Sequence, residues 1–215
     1  MQLLEEKTNE IILEGKIATD VTISHTKNKK TFFSFYLEQR EENTFKKNML
    51  PIIIEKNIEN FSILEKGKFV KIVGNLRSYD FIEENKLHLI LRVYVKKIDV
   101  LEPNKYSNSI TLVGNLCKNA FIINRKQIKI VNLLLAVNRN YLLKNKSDYI
   151  PCVLTFKNSE NKVKIDDLKV KTKVKITGFF QSRIYLKKDF SKKIALEVAI
   201  DKIEILKPWN KWRNK

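Results

Sequence analysis

The side chains that could do covalent or acid–base chemistry are few in this sequence, and their spacing argues against an enzyme. Asp166-Asp167 is a carboxylate pair, but adjacent residues on a helix or loop diverge, and no histidine is nearby for proton transfer. Glu38, Glu41, Glu42, Glu83 and Glu84 lack metal-ligand spacing. His25 and His88 are too few for a histidine-rich site. Cys117 and Cys152 form no C-x-x-C pair and lack the neighbouring base of a nucleophilic thiol. The glycines, Gly15, Gly67, Gly74, Gly114 and Gly178, lie too far apart for a phosphate-cradling loop. We therefore expect no catalytic site, no metal and no cofactor.

Charge points elsewhere. Forty-two Lys and Arg against 24 Asp and Glu leave a net charge of +18, which suits a polyanionic partner. The excess is lopsided: residues 1–103 hold 17 basic and 16 acidic residues, whereas residues 104–215 hold 25 and 8. An inflated lysine content alone would raise both halves alike, so the electrostatic grip is expected in the second half. With no apolar run near 18 residues and no export signal in Met1–Glu6, we expect no membrane span, a cytoplasmic location and reduced thiols.

The elements that must position any binding surface come in two copies. Leu13-Glu-Gly-Lys-Ile17 matches Leu112-Val-Gly-Asn-Leu116, and Leu50-Pro-Ile52 matches Ile150-Pro-Cys152. Ile72-Val-Gly-Asn-Leu-Arg-Ser78 matches Ile176-Thr-Gly-Phe-Phe-Gln-Ser182, and Lys97–Pro103 matches Lys202–Pro208. All four prolines and four of the five glycines fall into these pairs. Two domains follow, 1–103 and 104–208, with a linker near Asn104–Asn108 and a basic tail at 209–215 that holds Trp209 and Trp212.

Hydrophobic alternation predicts strands over Ile110–Leu116, Ile128–Val137, Tyr149–Phe156, Lys171–Phe180 and Ile194–Leu206, with a short helix between Ser159 and Leu168. In the last strand the pattern slips phase at Asp201, as a bulge requires. The first half predicts the same order: Ile11–Ala18, Thr31–Glu38, Asn48–Glu55, a helix near Ile58–Leu64, Phe69–Arg77 and Leu87–Leu101. Three strands, a helix and two strands is the order of an OB-fold, so the expected class is all-β, two tandem five-stranded Greek-key barrels. A pair of small sandwiches is the competing all-β reading.

Four blocks of the second half carry a family resemblance: Asn108–Leu116, Leu135-Ala-Val-Asn-Arg-Asn-Tyr141, Ser147-Asp-Tyr-Ile-Pro-Cys-Val153 and Ile176–Tyr185. Together they resemble the bacterial single-stranded DNA-binding proteins and the related primosomal replication protein N, over roughly residues 108–206. That resemblance implies sequence-tolerant binding of single-stranded DNA in replication, recombination or repair, with bases stacked on groove aromatics. It places those aromatics at Tyr141, Tyr149, Phe156 and Tyr185. A tyrosine or phenylalanine in a barrel strand is more often packing than a stacking platform. Four at family positions, beside Arg139, Lys144, Arg183, Lys187 and Lys188, shift the balance towards nucleic acid. Of Phe179 and Phe180, one must face inward.

Aligned on the repeat, the first half offers Glu42, Met49, Lys56 and Phe81 at the four aromatic positions, so its groove is expected to be degenerate and to serve assembly. The best-known members of the family end in a disordered linker and a short acidic, hydrophobic tip that recruits repair and replication enzymes. The last residues here, Pro208–Lys215, are basic, which turns the expectation towards an accessory, mobile-element or primosomal role. An adaptor with weak nucleic-acid contact, or an RNA-binding protein, are the alternatives. Single-barrel members generally act as four barrels together, so two barrels per chain imply a homodimer, or a monomer if the first barrel takes the position of a second subunit.

Overall fold

In the second half's first strand Ile110, Leu112, Gly114 and Leu116 point inward while Asn115 faces water, and this period of two recurs through the chain. The computed structural model describes residues 8–40, 46–83, 86–103, 106–125, 128–139, 146–156, 164–186 and 190–207. These form twelve strands: β1 (Asn9–Ile17), β2 (Thr22–Lys27), β3 (Lys30–Arg40), β4 (Lys47–Glu55), β5 (Phe69–Glu83), β6 (Lys86–Leu101), β7 (Ser107–Leu116), β8 (Phe121–Arg125), β9 (Ile128–Asn138), β10 (Ser147–Phe156), β11 (Lys173–Leu186) and β12 (Lys192–Lys207).

The chain is all-β. Where short helices were expected, the described residues have single 3-10 turns, Phe61–Ile63 and Ile165–Asp167, and residues 159–163 of the second segment lie outside the described residues. Neither segment has the apolar stripe that a longer helix would need to bury. Two strands also escaped the pattern. β2 and β8 each lie along an edge, paired with β3 and β9, so they bury little and alternate weakly.

Within the first half, β1 pairs antiparallel with β5 and then, at Lys16 and Ile17, with β3. β3 continues to β4, β4 runs parallel to β6, and β6 returns to β5, which closes a five-strand circuit. The second half repeats this: β7 pairs with β11 and with β9, β9 with β10, and β10 runs parallel to β12. Gly15 and Gly114 sit where the first strand swings from one partner to the other. A Cβ there would run into the carbonyl oxygens of Glu38 and Ala136, so the circuit closes only on glycine.

Each circuit encloses apolar side chains, among them Ile11, Leu13, Leu37, Ile52, Ile72 and Val93 in one and Leu112, Leu135, Ile150, Val174, Ile176 and Val198 in the other. In β6 the register shifts across Val73 and Gly74 of its partner, a bulge. The matching stretch of β12 has Ile200 and Ile203 buried with Asp201 and Lys202 exposed, so the phase slips where the pattern placed it.

The chain divides into two compact units: residues 1–9, 110–179 and 198–215, and residues 10–109 with 180–197. The outer part of the β11–β12 hairpin thus groups with the first half.

Candidate nucleic-acid interface

β10 places its residues by alternation. Asp148, Ile150, Cys152 and Leu154 point inward, which turns Tyr149 outward, and the ring is 45% exposed beside Ala136 of β9. Pro151 and Val153 continue this outer face next to Leu134 and Asn132. Phe156 ends the strand two register positions past buried Leu154, opposite Lys129; its side chain lies outside the described residues.

Arg139 is not an open phosphate ligand. Its Nε and Nη2 donate to the Asp148 carboxylate at 3.0 and 2.6 Å, with side-chain exposures of 16% and 1%. The Arg139 backbone N–H donates to Lys146 across the same connection. A fork-shaped guanidinium is the natural partner of a buried carboxylate, so this pair fixes the approach from β9 to β10 and the strand position that carries Tyr149.

In the other unit, Gln181, Arg183 and Tyr185 share one face of β11 by period two. Phe180 is fully buried on the opposite face and Phe179 is half-buried, the inward–outward split expected of adjacent residues. Arg183 donates to both oxygens of buried Glu197, at 2.8 and 3.1 Å. Its guanidinium carbon lies 5.8 Å from the centre of the Tyr185 ring, which is 38% exposed. The hydrogen bond to Glu197 is the main reason that the Arg183 guanidinium is held above its ordinary pKa, fully charged at any working pH. Tyr141, Lys144, Lys187 and Lys188 lie outside the described residues, as do Trp209 and Trp212.

The first half contains an aromatic cluster that motif alignment missed. His25 stacks on Phe32 with ring centres 4.8 Å apart, and Phe32 and Tyr79 both approach Tyr94, at 6.3 and 5.8 Å. Arg77 caps the Tyr94 ring at 4.1 Å. Burial, then the hydrogen bond with Tyr79, pushes the Tyr94 phenol far above its ordinary pKa. Burial, then Arg92 and Lys27, hold the His25 imidazole below its own. A cavity of about 330 Å³ opens nearby, lined by Thr22, Ser34, Tyr36, Pro51, Ile53 and Arg92 among others. Alternation in β6, with Leu91, Val93 and Val95 buried, was the available signal that Arg92 and Tyr94 face outward.

Burial pushes the Cys117 thiol up, away from nucleophilic behaviour, and Cys152 is buried. Among the described residues no three His, Cys, Asp or Glu side chains gather as a metal site. No helix among them is long and apolar enough to cross a membrane.

Residues 107–206 match the model of the single-strand binding protein family. The wild-type single-stranded DNA binding protein from Thermus aquaticus is 16% identical, with a TM-score of 0.73 over 92% of each chain. A deletion mutant of the Thermus aquaticus protein is 16% identical, with a TM-score of 0.69 over 96% of this chain and 97% of its own. These likenesses show the fold across nearly the whole chain. The N-terminal domain of the PriB protein from Thermoanaerobacter tencongensis, solved as a dimer, is 36% identical over 45% of this chain and 100% of its own, with a TM-score of 0.39. No curated protein matches the sequence.

Proposed function

We propose that this protein binds single-stranded DNA without strong sequence preference, as two OB-fold barrels in tandem, 1–103 and 104–208. The second barrel supplies the main contact. The observation that carries this reading is the family match over residues 107–206, within which Tyr149 stands exposed on the outer face of β10. Tyr185 supplies a second ring, and Tyr141 and Phe156 complete the set by motif. Each base–aromatic stack contributes about 1–3 kcal/mol. Lys144, Lys187 and Lys188 neutralise phosphates, whose release of counterions makes binding salt-dependent. Arg139 and Arg183 act through their carboxylate partners, each by holding the backbone that presents its own neighbouring ring.

The first barrel contributes little affinity in this proposal. Its rings face one another and Arg77, so less aromatic surface remains for a base than their number implies. The protein acts as a cytoplasmic homodimer, a binder and not an enzyme. Titration with poly-dT at two salt concentrations tests the reading. Tight binding that weakens steeply with salt supports it, and weak, salt-insensitive binding overturns it in favour of an adaptor. Competition by poly-U of equal strength would reassign the ligand to RNA, and sedimentation velocity decides the dimer.

A further inference from the structure

β11 loses β7, one of its two neighbouring strands, before it ends. The ladder with β7 runs from Lys173 opposite Asn115 to Gly178 opposite Ile110. Beyond it, the N–H groups of Phe180 and Ser182 are met by asparagine side chains instead of backbone. Asn108 both accepts from the Phe180 N–H at 3.0 Å and donates to the Phe180 carbonyl at 2.7 Å. Asn48, on β4 and with no exposed surface, accepts from the Ser182 N–H at 3.0 Å. The Ser182 hydroxyl in turn accepts from the Met49 N–H at 3.1 Å. Asn48 Nδ2 donates to Gln39 Oε1 at 3.2 Å, and an inverted amide would break both bonds, so its orientation is set.

A second polar chain runs beside the first. Lys46 donates to Gln181 Oε1 at 3.2 Å, and Gln181 Nε2 donates to Glu197 Oε1 at 3.1 Å. Glu197 holds Arg183, which lies under Tyr185. Every one of these residues belongs to the unit made of 10–109 and 180–197.

We infer that Asn48 is a positioning residue for the 180–197 hairpin: the first barrel acts in strand binding by fixing the hairpin that carries Tyr185. The hairpin's order follows from the hydrogen bonds alone, and its effect on affinity rests on the function proposed above. A part-buried N–H stripped of its acceptor is costly, so loss of the Asn48 amide must loosen the hairpin locally.

The test is Asn48→Ala in the full chain, alone and combined with Tyr185→Ala. Backbone hydrogen exchange across 180–186 is expected to quicken at least about fivefold with the core strands unchanged. Affinity for a dT oligonucleotide is expected to fall about three- to tenfold with Tyr185 present and not at all in the Tyr185→Ala background. Unchanged exchange overturns the inference, and so does an equal affinity loss in both backgrounds. Should Tyr185→Ala itself cost no affinity, the proposed site is wrong, and exchange alone then decides whether Asn48 holds the hairpin. If Asn48→Ala does not fold, Ser182→Ala removes the acceptor of the Met49 N–H and is expected to quicken exchange in the same segment.

Discussion

Met49 and Tyr149 occupy matched positions on the third barrel strand of each half, and each follows a buried polar residue, Asn48 or Asp148. In the second half the buried residue is an acid. It draws Arg139 from the strand connection beside it, and the outer position next to it carries an exposed ring. In the first half the buried residue is a neutral amide. It reaches outside its own strands to the Ser182 N–H, and the neighbouring Met49 N–H is bound there too. One frame therefore carries the same position in two ways, with an exposed ring in one copy and an intramolecular contact in the other. The difference rests on one side chain's charge. A buried carboxylate needs a cation close by, whereas a buried amide is satisfied by backbone groups.

The sharpest way to break this contrast is to remove the cation. Arg139→Ala leaves Asp148 buried and unpaired, and urea unfolding is expected to show a loss of about 3–5 kcal/mol. Arg139→Met combined with Asp148→Leu should recover most of it, because an apolar pair of similar volume carries no desolvation penalty. Failure to recover would mean that the pair does more than satisfy itself.

Ring deletions come next. Tyr149→Ala and Tyr185→Ala are each expected to cost about 1–3 kcal/mol in dT-oligonucleotide affinity by fluorescence anisotropy. Tyr36→Ala, on the first half's outer face and 47% exposed, is expected to change affinity less than about twofold. Equal costs in the two halves would erase the asymmetry. A finer measure is the salt slope. Lys187→Ala with Lys188→Ala should flatten log K against log salt by about 0.7 for each phosphate no longer neutralised, while Arg77→Ala should leave it unchanged.

The smallest effect compares two turns. Gly67 has φ +97° and donates its N–H to Ile17; Lys171, at the matching place, has φ +69° and donates to Leu116. A lysine held in the left-handed region is strained, so Lys171→Gly is expected to stabilise by about 1 kcal/mol in thermal or urea unfolding. Gly67→Lys should lose a similar amount. Gly67 is the glycine that the repeat left without a match, and Lys171 explains why: the conformation repeats although the residue does not.

Much of the frame was legible because it follows from local rules. Alternation set the faces of β1, β7, β10 and β11, the matched glycines marked close strand approach, and the family blocks singled out Tyr149 and Tyr185. The edge strands β2 and β8 were not legible, since a strand that buries little leaves little pattern. Nor was the pairing of Arg139 and Arg183 with buried acids, because their place along the chain is equally that of phosphate ligands.

What the residue order determined, then, was the twofold repeat, the strand faces and the uneven charge, all of which depend on spacing along the chain. The tertiary structure decided which groups satisfy one another. Asn48 meets Ser182 across 134 residues, Asn108 meets Phe180 across 72, and Arg183 meets Glu197 across 14. A period of two specifies which face a side chain occupies, but its partner is set by which strands the closed circuit brings alongside.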